Sequence, residues 1–210
     1  MNLFRRFIAA ALALALVSCA SAPPRPPKVV NVIVFPGGFN WPNWVAQEKG
    51  LFARNGIEVK LTPTPSSVFQ LTNLIDGKFD IAINATDVLG RYQGLVGGAR
   101  KAWAEQNRDA VVGFIRAYSD AIDWLYDPKN KDEAIAIFLK YFPSANAQAA
   151  LTAYGVLLSP TDGFQKKARI DAEGVKTVLQ LRSKYGQPKK VLTDASRYYD
   201  LSFYDAAMRR

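Results

Sequence analysis

The chain has 210 residues, of which 49% are hydrophobic and 21% charged, and it contains one cysteine and no histidine. Without histidine there is no histidine zinc ligand, Ser-His-Asp triad or histidine general base, and one cysteine excludes an internal disulfide or a CxxC metal knuckle. This length is enough for one domain or two small ones. Lys plus Arg exceed Asp plus Glu by 27 to 18, a formal charge of +9.

Residues 1–18 have the layout of a bacterial export signal. Arg5 and Arg6 precede an unbroken apolar run over residues 7–17, and small residues follow it. As a helix, these eleven apolar residues are about 16 Å long, roughly half of a ~30 Å hydrocarbon core. The run is therefore too short for a permanent membrane span, and we expect a signal peptide.

The end of this signal resembles a lipobox. It has the sequence Leu-Val-Ser-Cys over residues 16–19, which predicts cleavage before Cys19 and acylation of its thiol. Ordinary cleavage after Ala20 or Ala22 is the alternative. Residues 19–28 contain four prolines, which favour an extended, semi-rigid segment, so we expect a tether that holds a domain off a membrane.

The positive charge has a different meaning for an exported chain. Removal of residues 1–18 takes two arginines from the 27 basic residues and none of the 18 acidic ones, which leaves +7. Nucleic acid is then not expected as a partner. Of the lysines, only Lys166-Lys167 and Lys189-Lys190 are adjacent, so a solvated surface is predicted. An attraction for anionic ligands or anionic lipid head groups is the alternative.

Residues 29–87 alternate between strand and helix patterns, which predicts an α/β lobe. The predicted elements are a strand over 29–35, a helix over 42–55 in two parts around Gly50, a strand over 57–61, a helix from Ser66 or Ser67 to Asp76, and a strand over 79–83. Short connections between these elements favour a short parallel sheet with flanking helices. Ligands of such sheets bind beyond the carboxyl ends of the strands, here the loops 36–41, 62–67 and 84–87.

The second half, residues 88–210, is predicted to be helical. After a glycine-rich passage over 90–98 the sequence contains no convincing strand. Helical patterns cover 108–126, 130–141, 144–158 and 171–185, with Ser144 and Asp171 as predicted N-caps, and a short helix is expected near the C-terminus. We expect this segment to pack on the α/β lobe.

Three blocks in the first half resemble a known family. They are Phe39–Phe52, Asn55–Val59 and Leu74–Ala82, and they are similar in order and spacing to the opening of periplasmic solute-binding proteins of the nitrate, sulfonate, taurine and thiamine-precursor type. Segments of the second half also resemble that family: Trp103–Ala110, Trp124–Pro128, Glu173–Val175 and Tyr198–Asp200.

The resemblance implies a type II periplasmic-binding-protein fold. Members of this family clamp a ligand between two α/β lobes. Here residues 80–87 run almost directly into residues 88–94, which resemble the re-entry from the second lobe. The expected chain is therefore one lobe followed by a helical C-terminal half, with most of the second lobe missing.

The resemblance and the loop positions suggest ligand-binding residues. Phe39, Asn40 and Trp41 offer aromatic surface and an amide in the first loop, although Trp41 could instead fix the start of the helix. Ser66 and Ser67 lie at a helix N-terminus, which suits an anion, although simple capping explains them equally well. Asn84 and Thr86 follow the third strand and are weaker candidates, because they could instead just end the sheet.

We therefore expect a lipid-anchored protein of the periplasm or cell envelope that captures a small anionic or heterocyclic solute and presents it to an ABC permease of the inner membrane. No cofactor, metal or enzymatic activity is expected. The alternative is a membrane-tethered interaction module that binds no solute. An envelope hydrolase with a Ser–Lys pair has no supporting motif.

Overall fold

The computed structural model describes residues 26–84, 93–160 and 163–209, except for the side chains of Ser67, Val68, Leu71 and Asn84. Its strands are β1 (Lys28–Val34), β2 (Ile57–Pro63), β3 (Ile81–Asn84) and β4 (Val96–Ala99). Its helices are α1 (Trp41–Glu48), α2 (Leu51–Arg54), α3 (Ser67–Ile75), α4 (Lys101–Gln106), α5 (Arg108–Tyr126), α6 (Lys131–Tyr141), α7 (Ala147–Leu157), α8 (Ala172–Tyr185) and α9 (Ser202–Met208). The predicted α/β class with flanking helices and a largely helical C-terminal half is confirmed.

The four strands form one sheet in the order β2-β1-β3-β4. The central strand β1 pairs in parallel with β2 on one side and with β3 on the other. Consecutive residues Val32 and Ile33 of β1 are both fully buried. Burial of both faces explains why this strand is mostly β-branched, with Asn31 as the one interruption after Lys28, and does not alternate between apolar and polar residues.

The three predicted strands pair in parallel as expected, and the sheet has a fourth strand at one edge that was not predicted. Strand β4 pairs antiparallel with β3, from Ala99 opposite Ile81 to Val96 opposite Asn84. This strand lies in the glycine-rich passage for which no strand was predicted. Gly97 and Gly98 hid it, because glycine has a low strand propensity and supplies no apolar side chain to the pattern.

Helices α1, α2, α5 and α6 join the sheet in one hydrophobic core. Helix α1 packs against both α5 and α6, so it lies between the sheet and the helical half.

The break after α1 occurs at Gly50, whose positive φ of 63° suits glycine. The predicted cap at Asp171 is confirmed, since its carboxylate accepts from the Glu173 N–H (3.2 Å). Asn146 caps α7 where Ser144 was predicted to do so.

Two glycines within helices test the packing of α5 against the first half. A Cβ at Gly113 of α5 would lie 2.9 Å from the carbonyl oxygen of Asn55, whereas a Cβ at Gly155 of α7 would meet nothing within 4 Å. Alanine favours a helix over glycine by about 1 kcal/mol, but overpacking costs about 1–3 kcal/mol. We expect Gly155→Ala to raise the free energy of unfolding by about 0.5–1 kcal/mol and Gly113→Ala to lower it by about 1–2 kcal/mol.

Urea denaturation of the two variants and the parent chain measures both changes. Gly155→Ala is the matched control, because it makes the same chemical change in a helix that has no close neighbour at this position. Equal stabilisation by both alanines would contradict the close contact between α5 and Asn55.

Candidate functional site

The carboxyl ends of β1, β2 and β3 lie at the same edge of the sheet, because all three strands run in parallel. The predicted loops 36–41 and 62–67 both begin there. Loop 62–67 is joined to the end of β1, because the Thr64 N–H donates to the Val34 carbonyl (2.8 Å). Thr64 is itself buried. Gln70 of α3 is fixed at the same edge, since its amide donates to the carbonyls of Ile33 (3.2 Å) and Ile83 (2.9 Å).

A cavity of about 300 Å³ opens at this edge, between the ends of β1 and β2 and the helices α1 and α6. We call it the loop pocket. Its lining combines three aromatic side chains, two amides and a mainly apolar remainder, without a charged side chain. The lining residues are Val34, Pro36, Gly37, Asn40, Trp44, Gln47, Leu61, Pro63, Tyr141 and Phe142. An apolar cavity of this size with a few polar groups is typical of a site for a small solute.

Asn40 is the most constrained polar residue of the loop pocket. Its Nδ2 donates to the carbonyl oxygens of Phe35 (2.6 Å) and Gly37 (3.2 Å). These two acceptors fix the amide orientation, because the reversed amide would place its own oxygen against both carbonyls. The Oδ1 atom is buried without a hydrogen-bond partner among the described residues. A buried acceptor without a donor costs about 1–3 kcal/mol, so this position favours the arrival of a donor group.

Two further amides of α1 lie on the same helical face as Asn40. Positions 40, 43 and 47 are spaced by three and four residues, which places their side chains along one face. Gln47 lines the loop pocket and donates to the Val59 carbonyl (3.3 Å). Asn43 is fully buried, and neither its Nδ2 nor its Oδ1 has a partner among the described residues. This face of α1 therefore has unused hydrogen-bonding capacity beside the loop pocket.

An aromatic pair forms one wall of the loop pocket. The rings of Trp44 and Tyr141 stack with their centroids 5.4 Å apart and their planes 6° from parallel. The Tyr141 hydroxyl donates to Glu48 Oε1 (2.9 Å), and the Lys140 ammonium lies 2.6 Å from the same oxygen. The Lys140 ammonium and the Tyr141 hydroxyl lower the pKa of Glu48. Desolvation and the bond to Glu48 raise the pKa of Tyr141 to about 12. The bond to Glu48 fixes the orientation of the Tyr141 ring against Trp44.

The predicted first-loop residues separate in the structure. Asn40 lines the loop pocket, whereas Phe39 faces a different hollow, described below. Trp41 is fully buried, and its indole N–H donates to the Ala134 carbonyl (3.0 Å). Its ring contacts Phe138 at a centroid distance of 4.8 Å. In this arrangement Trp41 offers no surface to a solute, and it fixes the start of α1 as the alternative interpretation stated.

The other predicted site residues are described only in part. Ser66 is the N-cap of α3, and its hydroxyl accepts from the Phe69 N–H (3.1 Å). Ser67 begins α3 and Asn84 ends β3, but both of their side chains lie outside the described residues, as do Thr86 and the predicted lipidation site Cys19. Asn40 and Ser66 thus follow neighbouring parallel strands at one edge of the sheet.

A larger and more open hollow of about 660 Å³ lies between α7 and the 3-10 turn Gly38–Asn40. We call it the α7 groove. It is mainly apolar and is lined by Gly38, Phe39, Phe138, Asn146, Gln148, Ala149, Thr152, Ala153, Val156 and Leu157. Residues 141–161 contain no charged side chain. Its width and lack of enclosure suit an interaction with a larger molecule better than the capture of a small solute.

The sequence did not single out several residues of the loop pocket. Trp44, Gln47 and Tyr141 belong to helix patterns that predict only packing, and Phe142 directly follows one of these patterns. Trp44 and Gln47 follow Asn40 at spacings of four and seven, so the face of α1 was visible in the sequence. The contribution of α6 was not visible, because about ninety residues separate Tyr141 from its contacts on α1.

In the described ranges, no group of three or more Cys, Asp or Glu side chains is placed to hold a metal ion. Within the same ranges, no helix is both long and apolar enough to cross a bilayer.

No protein-family model matches the chain, and no curated protein matches it significantly in sequence. Its structure is similar to that of a protein from Bordetella bronchiseptica RB50, with a TM-score of 0.70 and 11% identity over 87% of this chain and 97% of that one. At this identity the similarity shows a shared fold and nothing more. A protein from Methylobacillus flagellatus KT, named as the periplasmic sulfonate-binding protein SsuA, gives a TM-score of 0.38 at 14% identity. The match covers 90% of this chain but 63% of that protein, and a TM-score this low carries no argument.

The hydrogen bond between Tyr141 and Glu48 predicts a pH dependence of stability. A group with a raised folded-state pKa stabilises the fold below its unfolded pKa of about 10 and loses that contribution as the pH rises through the folded value. Between pH 10 and about 12, the stability should therefore fall as the unfolded chain loses the Tyr141 proton first. Solvent screening of this partly exposed group limits the effect to about 1 kcal/mol or less.

Tyr141→Phe keeps the stack on Trp44 and removes the titrating hydroxyl. Urea denaturation of both proteins between pH 8 and about 12 should show a smaller decline for the variant, with little difference in slope below pH 10. If the free energy of unfolding falls equally with pH in both proteins over the whole range, Tyr141 does not contribute to the pH dependence of stability.

Proposed function

We propose that this protein is the substrate-binding component of an ABC transporter, a protein that captures a small solute outside the inner membrane and presents it to a membrane permease. The observation that carries the proposal is the loop pocket. It lies at the carboxyl ends of parallel strands, it has a volume of about 300 Å³, and it combines an aromatic wall with the Asn40 and Gln47 amides. The resemblance of Phe39–Phe52 and Leu74–Ala82 to periplasmic solute-binding proteins supports the same function.

The proposed form of the protein is shortened and anchored by lipid. The sequence around residues 80–94 supports the loss of most of the second lobe, and the lipobox-like sequence before Cys19 supports acylation at that residue. The shared fold with the Bordetella protein supports a stable short form, because the match covers 97% of that chain. The proposed location is the periplasm or cell envelope.

The chemistry of the loop pocket favours a neutral heterocyclic solute over a sulfonate or nitrate. No lysine or arginine lines the pocket, so an anion would lose its hydration without gaining an opposite charge. A planar ring can pack against the wall formed by Trp44 and Tyr141, and N–H groups on such a ring would suit the acceptor of Asn40. Because Oδ1 of Asn40 is buried, the solute reaches it only when loop 36–41 shifts.

Thermal denaturation with a panel of solutes tests this proposal. A chain that starts at residue 20 is heated with pyrimidines, amino acids, nitrate and sulfonates. A ligand at about 100 times its dissociation constant adds about 2.7 kcal/mol, which raises the melting temperature by several degrees in a protein of this size. We expect a heterocyclic compound to give such a shift and the sulfonates to give none.

Variants then assign the binding to the loop pocket. Asn40→Ala removes the amide and should abolish the shift, and Thr152→Ala is the matched control in the α7 groove. Asn40→Ala also loses two hydrogen bonds to the loop, so the shift is measured against the melting temperature of each ligand-free variant. If Asn40→Ala keeps the full rise in melting temperature, or if only Thr152→Ala loses it, the solute binds outside the loop pocket.

A second function, a membrane-tethered interaction module without a solute, is favoured by the α7 groove. Leu151 and Val156 of α7 are 41% and 62% exposed, and the surrounding sequence carries no charge. Exposed apolar side chains on an uncharged helix are suited to contact with another protein. A cooperative melt that no solute shifts would favour this function over solute capture.

A further inference from the structure

The segment from Gly174, in the first turn of α8, to the loop that follows this helix is basic and contains no acidic residue. Between Gly174 and Thr193 the chain has five cations, which are Lys176, Arg182, Lys184, Lys189 and Lys190. The acids on either side are already engaged: Glu173 pairs with Lys176 (2.7 Å), and Asp194 accepts from the Ser196 hydroxyl (2.6 Å). The field of this segment is therefore positive over about twenty residues.

Residues 184–191, which we call the basic loop, combine exposed lysines with exposed apolar surface. Lys184, Lys189 and Lys190 are all exposed. Val191 is 86% exposed, more than any other large hydrophobic side chain in the described ranges, and Tyr185 is 68% exposed. Three positive charges next to an unburied valine and tyrosine are not explained by packing within the chain.

The basic loop is held in shape by bonds from its own helix. The Arg182 guanidinium donates to the carbonyls of Gln187 (3.0 Å) and Pro188 (3.3 Å), and the Lys189 ammonium donates to the Lys184 carbonyl (2.5 Å). A Cβ at Gly186 would lie 2.5 Å from the Arg182 carbonyl oxygen, so glycine permits this close approach. A shaped loop loses less conformational entropy on binding than a flexible one.

We propose that the basic loop docks on the surface of a bilayer that contains anionic phospholipid. The lysines attract the phosphate groups, while Val191 and Tyr185 enter the head-group region, where tyrosine is favoured at the boundary between water and hydrocarbon. Contacts to nucleic-acid phosphates are made by cationic and polar groups and leave the exposed valine and tyrosine without a role, so the apolar tip favours lipid.

The N-terminal segment strengthens this assignment. The proposed acylation of Cys19, on which this part of the proposal rests, would keep the chain at the membrane after residues 1–18 are removed. A tether over 19–28 spans about 30 Å in extended form, so the basic loop remains at a high effective concentration near the same bilayer. Weak attraction is then sufficient to orient the domain.

The test measures protection of the basic loop in the full chain. The protein is reconstituted in vesicles of phosphatidylcholine alone and in vesicles that also contain phosphatidylglycerol, and hydrogen exchange is followed for residues 184–193. We expect slower exchange in the vesicles with phosphatidylglycerol, and a loss of that difference at high salt because ions screen the attraction.

Lys184→Gln with Lys190→Gln removes two charges and leaves Lys189, which supports the loop. At about five-fold per lysine, the docked population relative to the undocked one should fall about twenty-five-fold. Lys60→Gln with Lys129→Gln is the matched control, because it makes the same change in charge on other parts of the surface. Val191→Ser should weaken docking while leaving the charge unchanged.

Three outcomes would overturn the proposal. Exchange that is equal in the two kinds of vesicle would show that anionic lipid does not engage the loop. An equal effect of the loop variant and its control would show attraction by net charge alone. The soluble polyanion heparin is the third comparison. If it slows exchange of the loop as much as the vesicles do, and equally in Val191→Ser, the loop binds polyanions in general and not a bilayer.

Discussion

The contact of α1 with α6 shapes both hollows of the molecule and is one of the contacts that join the first half of the chain to the helical half. Trp41 is the centre of this contact. Its indole N–H uses the Ala134 carbonyl, and its ring packs against Phe138 and Tyr154. Burying a tryptophan removes about 150–250 Å² of surface from water. Because α1 begins at Trp41, this residue also fixes the direction in which the chain leaves β1.

Both hollows of the molecule follow from the position of α1. The loop 36–41 must turn tightly between the end of β1 and the buried Trp41, and Asn40 stabilises this turn through the carbonyls of Phe35 and Gly37. One side of the turn faces the loop pocket and the other faces the α7 groove. A change in α1 packing is therefore expected to alter both surfaces.

The sequence predicted the elements whose patterns are local. Strand β1, the break at Gly50 and the cap at Asp171 were visible in hydrophobic runs and capping residues, and the structure confirms them. Strand β4 was missed because its pairing to β3 depends on a distant partner and not on its own glycine-rich sequence. The lining of the candidate site was predictable only in part for the same reason: Asn40 lies in a predicted loop, but Tyr141 reaches the loop pocket only through the packing of α6 on α1.

The location of the loop pocket bears on whether the proposed short form could hold a solute without a second lobe. A solute held between two lobes loses about half of its enclosing contacts when one lobe is absent, and affinity should then fall. The loop pocket instead lies between α1, α6 and the ends of β1 and β2, all of which are present in this chain. Its enclosure therefore does not depend on hinge closure. In the proposed short form, binding would depend on a small shift of loop 36–41, and the unpaired acceptor of Asn40 provides a reason for that loop to move.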